Sequence, residues 1–141
     1  MITVKDPNTL AAILQWQFHS KLVALMKWLS ENKLHVVITE GGRKKKHPND
    51  LHGTAPARAI DVRSWVYTDA QKTADWINES WRYDPDRPDM KCCVYHAVCQ
   101  ECGTRHNPPY RTKCDNCRLD ISGHWHFHLQ VHPKTEFKND N

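Results

Sequence analysis

Nothing in this 141-residue sequence is apolar for long enough to cross a membrane. A helical span needs about 20 such residues, and no run approaches that. The opening Met1-Ile2-Thr3-Val4-Lys5-Asp6-Pro7 has no basic region followed by an apolar one, so no secretory signal is read. The expectation is a protein made and kept in a reducing cytoplasm, with no membrane contact, where paired cysteines hold metal more often than they form disulfides. Charge of one sign is also scarce. A formal net charge of +4 suits an anionic polymer but does not choose between a cell-wall glycopeptide and a nucleic acid. The hydrophobic fraction, 39%, allows one modest core that extra staples would help.

Six Cys and ten His exceed ordinary use and point to metal, while six Trp favour a core of a few large anchors. The most informative stretch is Gly123-His124-Trp125-His126-Phe127-His128-Leu129-Gln130-Val131-His132. In a β-strand successive side chains face opposite ways. His124, His126, His128, Gln130 and His132 then share one face, and Trp125, Phe127, Leu129 and Val131 the other. One face is a row of imidazoles and the other belongs to a core.

From the N-terminus, Asp6-Pro7 starts a helix, with Asp6 as cap and Pro7 in the first turn. Leu10, Ile13, Leu14, Phe18, Leu22, Leu25, Met26 and Leu29 recur at helical spacing and read as a core stripe. The helix runs to about residue 32, with a break near His19-Ser20. Residues 34–40 read as a strand ending at Gly41-Gly42. The polar loop that follows, 43–50, carries a basic cluster. Its ordinary role is a solvated surface, and its functional one is attraction of an anionic substrate. Arg43 directly follows the strand end, where a fixed guanidinium could face a site. Residues 58–64 form a short strand with Ile60 and Val62 on one side and Ala59, Asp61 and Arg63 on the other. A mid-strand Asp either pairs with an Arg or ligates a cation. Thr68-Asp69-Ala70 opens a second helix with Ala74, Ile77 and Trp81 on its apolar side. Residues 83–88 form a rigid loop and 91–98 a third strand, in which the adjacent Cys92 and Cys93 read as small buried hydrophobes.

Cys99, Cys102, Cys114 and Cys117 form C-x2-C…x11…C-x2-C. Each turn puts two thiolates on one side of a tight loop, and two such turns close a tetrahedral zinc shell. The gap is shorter than is common for this pattern, yet doubled knuckles with Gly103 after the first are specific. All four ligands are protein, so this zinc is structural. It staples residues 99–117, which have few apolar residues of their own. Arg105, His106, Tyr110, Arg111 and Lys113 offer a partner surface there.

A catalytic zinc needs about three protein ligands and a position for water. His52, Asp61 and His128 supply one such set, although alternation alone does not select among the imidazoles. The order Ile38-Thr39-Glu40-Gly41-Gly42-Arg43, His52…Arg58-Ala59-Ile60-Asp61 and His126-Phe127-His128 resembles the zinc D-alanyl-D-alanine carboxypeptidases and phage endolysin peptidases, the superfamily that includes the hedgehog signalling domain. Trp81-Arg82-Tyr83-Asp84-Pro85 and His128-Leu129-Gln130-Val131-His132-Pro133 also resemble a phage-associated branch. The match covers roughly residues 34–132 without the knuckles. It implies that His52, Asp61 and His128 hold the catalytic zinc. It also implies that His126 stands beside the metal's water, and that Arg43 steadies the substrate or its developing oxyanion. The family spaces its first two ligands H-x6-D. Here eight residues intervene and Thr54 occupies the expected position, so an expanded loop from Gly53 to Pro56 must let His52 reach. Trp125 replaces the Glu that many members carry three residues before the last ligand. His126 is therefore the candidate base, with Asp120 and His96 in reserve.

The resemblance implies a hydrolase: a monomeric zinc metallopeptidase, with activated water as nucleophile, cutting peptidoglycan stem peptides or cross-links. Release to the cell wall, for example through a holin, would then be needed. Three other readings compete. The chain could be a nucleic-acid-binding zinc protein or metal-dependent nuclease, which the small net charge disfavours. It could be a non-catalytic hedgehog-like zinc module. Or the imidazole row could be a merely polar strand face. The expected fold is one α+β domain over 1–141. Its small antiparallel sheet, from 34–40, 58–64, 91–98 and 119–132, is backed by two helices, with the zinc ribbon inserted at a hairpin tip.

Overall fold

A computed structural model describes residues 1–99, 101–104, 113–114, 116–119 and 125–138. In chain order the elements are β1 (Ile2–Val4), α1 (Pro7–Gln15), α2 (Ser20–Glu31), β2 (Val36–Glu40), a 3-10 turn (Leu51–Gly53), β3 (Ala59–Arg63), α3 (Ala70–Ser80), β4 (Trp81–Arg82), β5 (Cys93–His96), β6 (His126–Gln130) and β7 (Glu136–Phe137). Five strands make one sheet in the order β1-β2-β3-β6-β5. β1 runs parallel to β2, and the other neighbours are antiparallel. The sheet is thus mixed, which corrects the all-antiparallel expectation. Three residues are too few for β1 to announce itself by alternation, and only the open edge of β2 gives it partners.

Asp6 caps α1, its carboxylate accepting from Thr9 N at 2.8 Å with Pro7 in the first turn. The long N-terminal helix is two helices. Trp16 leaves α1 in extended backbone, and Phe18 bridges Ala57, whose N–H donates to Gln17 O at 2.8 Å while His19 N donates to Ala57 O at 2.9 Å. His19 then caps α2 through Nδ1, which accepts from Lys21 N. This strand-like link resets the helical phase. Leu22, Leu25, Met26 and Leu29 are buried and Ile13 and Phe18 pack against them in part, but Leu10 and Leu14 are exposed, so the first half of the stripe joins the core only at two positions.

The helices α2 and α3 cover one sheet face. Leu22, Leu25, Leu29 and Ile77 meet Ile60 and Val62 of β3 and Phe127 and Leu129 of β6 in a single cluster. Tyr67 stacks on Phe127 with ring centroids 5.3 Å apart. Cys92 and Cys93 lie in the same cluster, and burial pushes the Cys92 thiol up to about 12. They behave as small hydrophobes.

Beyond Pro133 the polar tail is held in place. β7 pairs with β4, and Phe137 joins Trp28 and Trp81 in an aromatic cluster. Thr135 is fully buried, its hydroxyl donating to Tyr83 O at 2.7 Å and accepting from His132 N at 2.8 Å. A polar residue in a polar tail carries no sequence sign of such burial. Among the described residues, no helix is long and apolar enough to cross a membrane.

Candidate metal centres

The sheet face turned away from the helices holds the imidazoles. Phe127, Leu129 and Val131 are fully buried on the core side, and His126 and His128 are half-buried on the other. Antiparallel register sets Asp61 opposite His128 and Arg63 opposite His126, and Val94 and His96 of β5 opposite His128 and His126. A mid-strand carboxylate thus comes to lie beside an imidazole 67 positions away.

His52 arrives from the 3-10 turn, which Asp50 caps by accepting His52 N at 3.1 Å. One oxygen of Asp61 and one nitrogen each of His52 and His128 lie within 4.8 Å of one another. His52 Nε2 is 3.3 Å from Asp61 Oδ1, and His128 Nδ1 is 3.0 Å from the same oxygen. His126 Nε2 stands 3.8 Å from Asp61 Oδ2 and its ring stacks on His96 at 4.7 Å. His52 thus lies within reach of Asp61.

The donor chemistry fits a cation. His52 Nδ1 is 2.9 Å from Gly41 O. A carbonyl only accepts, so the ring proton of neutral His52 sits on Nδ1 and the lone pair on Nε2. That lone pair points at a carboxylate oxygen. Two acceptors facing each other at 3.3 Å need a proton or a metal ion between them. Burial pushes the Asp61 carboxyl up, but the close imidazoles of His128, His52 and His126 hold it well below the ordinary carboxylate range. Burial, then the charges of His126 and His128, lower His96. The centre is reached from two sides. A cleft of about 630 Å³ touches His128, and a smaller one of about 290 Å³ touches Asp61 and His126.

Arg43 braces the His52 loop. It pairs with Glu40 Oε1 at 3.0 Å and Asp50 Oδ2 at 3.2 Å, and its N–H donates to His52 O at 3.1 Å. Asp50, which sequence reasoning left in a polar loop, is 3% exposed and holds this loop together. Burial raises its carboxyl, but the N–H groups of Lys46 and His52 and the charge of Arg43 bring it below the ordinary value. Its position two residues before His52, where an Asp caps a turn, was the available signal.

The four cysteines also converge, one sulfur of each within 4.8 Å of the others. Cys99 Sγ and Cys117 Sγ are 3.7 Å apart and Cys102 Sγ and Cys114 Sγ 3.2 Å. A zinc–sulfur bond of about 2.3 Å implies a tetrahedral edge of about 3.8 Å. Both turns close alike: Gly103 N donates to Cys99 O at 2.9 Å and Arg118 N to Cys114 O at 2.7 Å, and both residues have positive φ. Cys99 and Cys114 pack on Trp125, which precedes His126. The hydroxyl and N–H of Thr104, with Cys114, draw the Cys102 thiol down to about 6, favouring the thiolate that ligates metal. This cluster can hold a metal ion such as zinc. Of the partner surface only Lys113 is described. Arg105, His106, Tyr110 and Arg111 lie outside the described residues, as do Asp120, His124 and the first part of the long final strand.

Comparison with protein-family models, curated proteins and solved structures finds no match for this chain.

Proposed function

We propose that this chain is a zinc metallopeptidase acting on peptidoglycan stem peptides or cross-links, built on a hedgehog/DD-peptidase-like fold with a zinc ribbon between β5 and β6. The convergence of His52, Asp61 and His128 beside an open cleft carries the reading. Two imidazoles and one carboxylate are a ligand set of catalytic zinc sites. The order of segments that resembles those peptidases supplies the substrate class.

When bound, zinc would supply Lewis acidity, lowering the pKa of water toward about 7 and polarising a peptide carbonyl. His52 is preset for ligation by its proton on Gly41 O. Asp61 offers an anionic oxygen shared by both rings. His126, ordered by its stack on His96, takes a proton from the attacking water and returns it to the leaving amine. Arg43, paired with Glu40 and Asp50, holds the His52 loop in place.

The test joins metal analysis to mass spectrometry of digested peptidoglycan fragments. The intact protein should carry two zinc ions and cut peptide bonds. His128→Ala should carry one and cut none. His126→Ala should keep both metals and lose turnover by roughly 10²- to 10⁴-fold. Arg43→Lys should outperform Arg43→Gln at equal metal content. A His128→Ala protein that still binds two zinc ions refutes the centre. A fully loaded wild type that cleaves plasmid DNA but no muropeptide replaces the peptidase with a nuclease.

A further inference from the structure

The larger cleft beside His128 has a one-sided lining. Lys45, Arg58, Arg87, His128 and His132 face it, and among the described residues the one acid in its wall is Asp50. Asp50 is engaged by Arg43 and by the N–H groups of Lys46 and His52. Two of the three permanent cations are also engaged. Arg87 Nε lies 2.9 Å from Asp84 Oδ2, and Lys45 Nζ donates to Pro48 O at 3.3 Å.

Arg58 differs. It is half-buried, yet its guanidinium has no hydrogen-bond acceptor and no carboxylate partner among the described residues. Its backbone is held firmly. Arg58 N donates to Leu51 O at 2.9 Å and to Thr54 Oγ1 at 3.0 Å, and Val131 N donates to Arg58 O at 2.9 Å. A guanidinium brings five donors in a fixed fork that matches a carboxylate. Beside it, His132 Nδ1 accepts Lys134 N at 3.1 Å, so the proton of the neutral ring sits on Nε2 and is a further donor. Asp84 Oδ2 lies 3.8 Å from His132 Nδ1, on the side away from Nε2. Burial lowers the His132 pKa, Asp84 opposes this, and the charges of Arg87 and Arg58 lower it further.

We infer that Arg58, flanked by His132 and Arg87, forms a carboxylate-binding subsite for an acidic group of the peptide whose scissile bond lies over His52, Asp61 and His128. This deepens the peptidase reading and rests on it. Asp61 pairs with His128 and Ala59 with Gln130, so Arg58 follows next along the sheet. About 10 Å of strand separates it from Asp61, the length of roughly three extended residues. The acidic group therefore lies within about three residues of the scissile bond. A C-terminal carboxylate and an acidic side chain share this chemistry.

The experiment uses the zinc-loaded full chain and acetyl-L-Ala-D-Glu-L-Lys-D-Ala-D-Ala in three forms: free acid, C-terminal amide, and amidated at the free D-Glu carboxyl. Calorimetry reads binding and mass spectrometry reads cleavage. Amidation of one carboxylate should weaken binding about 10- to 100-fold, and which amide suffers identifies the source. Arg58→Gln should cost the same factor on the free acid and nothing further on that amide, and Arg58→Lys should recover part of the loss. Equal binding of all three peptides, or an equal Arg58→Gln loss on all three, overturns the subsite. Cleavage without carboxylate preference removes the subsite and leaves the peptidase. Arg58-dependent preference without cleavage removes the peptidase and leaves the subsite. A single-stranded oligonucleotide bound through Arg58 more tightly than any of the peptides overturns the peptide assignment.

Discussion

At the scale of single residues, the centre depends on backbone groups as much as on side chains. Gly41 sets the tautomer of His52 through its carbonyl, and the next residue, Gly42, packs closely against Trp16. A Cβ on Gly42 would run into Trp16 Cβ and Cγ, atoms too near the backbone to swing aside. Gly42→Ala should therefore cost about 1–3 kcal/mol of stability. If the proposed zinc sites are filled, it should also weaken metal at the His52 centre more than at the cysteines. Thermal melts with metal titration check both, and unchanged metal affinity would separate Gly42 from the site. The knuckles show the other use of glycine. Gly103 takes φ +70 at the point where Arg118 takes φ 59 in the second turn, so the same backbone path is followed once with ease and once under strain.

Among the elements, β6 joins both centres. Its inward face is core, its outward face carries His126 and His128, and Trp125 just before it plugs the cysteine cluster. Loss of the cysteine-bound metal should loosen the start of β6. Cys114→Ser should raise amide hydrogen exchange at 125–128 while leaving α2 protected. Uniform protection would show the ribbon to be independent of the site. α2 carries a separate pH dependence. Burial, then the charges of Arg58, Lys21 and His132, lower the His19 pKa from its ordinary value near 6.5, and the neutral ring caps α2 by accepting Lys21 N at Nδ1. That contribution is fully present above pH 6.5 and is lost as pH falls through the folded value. The thermal midpoint of the metal-free protein should drop between pH 7 and 5. His19→Ser, which keeps a capping oxygen but does not titrate, should flatten that slope. An unaltered slope would assign the effect elsewhere.

Across the whole molecule, labour is divided by sheet face, with helices and aliphatics behind and imidazoles in front. The C-terminal segment closes the structure from outside, Thr135 under Tyr83 and Phe137 against Trp28 and Trp81. Removing residues 133–141 should cost about 2–4 kcal/mol, from lost buried hydrogen bonds and aromatic packing. Chemical denaturation measures it. A loss under about 0.5 kcal/mol, the range of ordinary surface changes, would mean that the segment only rests on the surface.

Local patterns carried much of this molecule. Alternation along 125–131 separates core from imidazoles because a strand has period two. Asp6-Pro7 and Asp69 mark helix starts because free N–H groups need acceptors. Paired C-x2-C turns bring thiolates together within a few residues. What the sequence by itself determined is therefore what nearest neighbours decide: faces, caps and knuckles. The rest depended on partners distant along the chain. The break at 16–19 exists because Ala57 pairs with it, β1 because the edge of β2 accepts it, and β7 because Trp81 and Arg82 lie open to it. Only the tertiary structure set His52 Nε2 against Asp61 and left Arg58 without an acceptor among the described residues. The position of a lone pair or an unused donor depends on what the fold brings within about 3 Å of it.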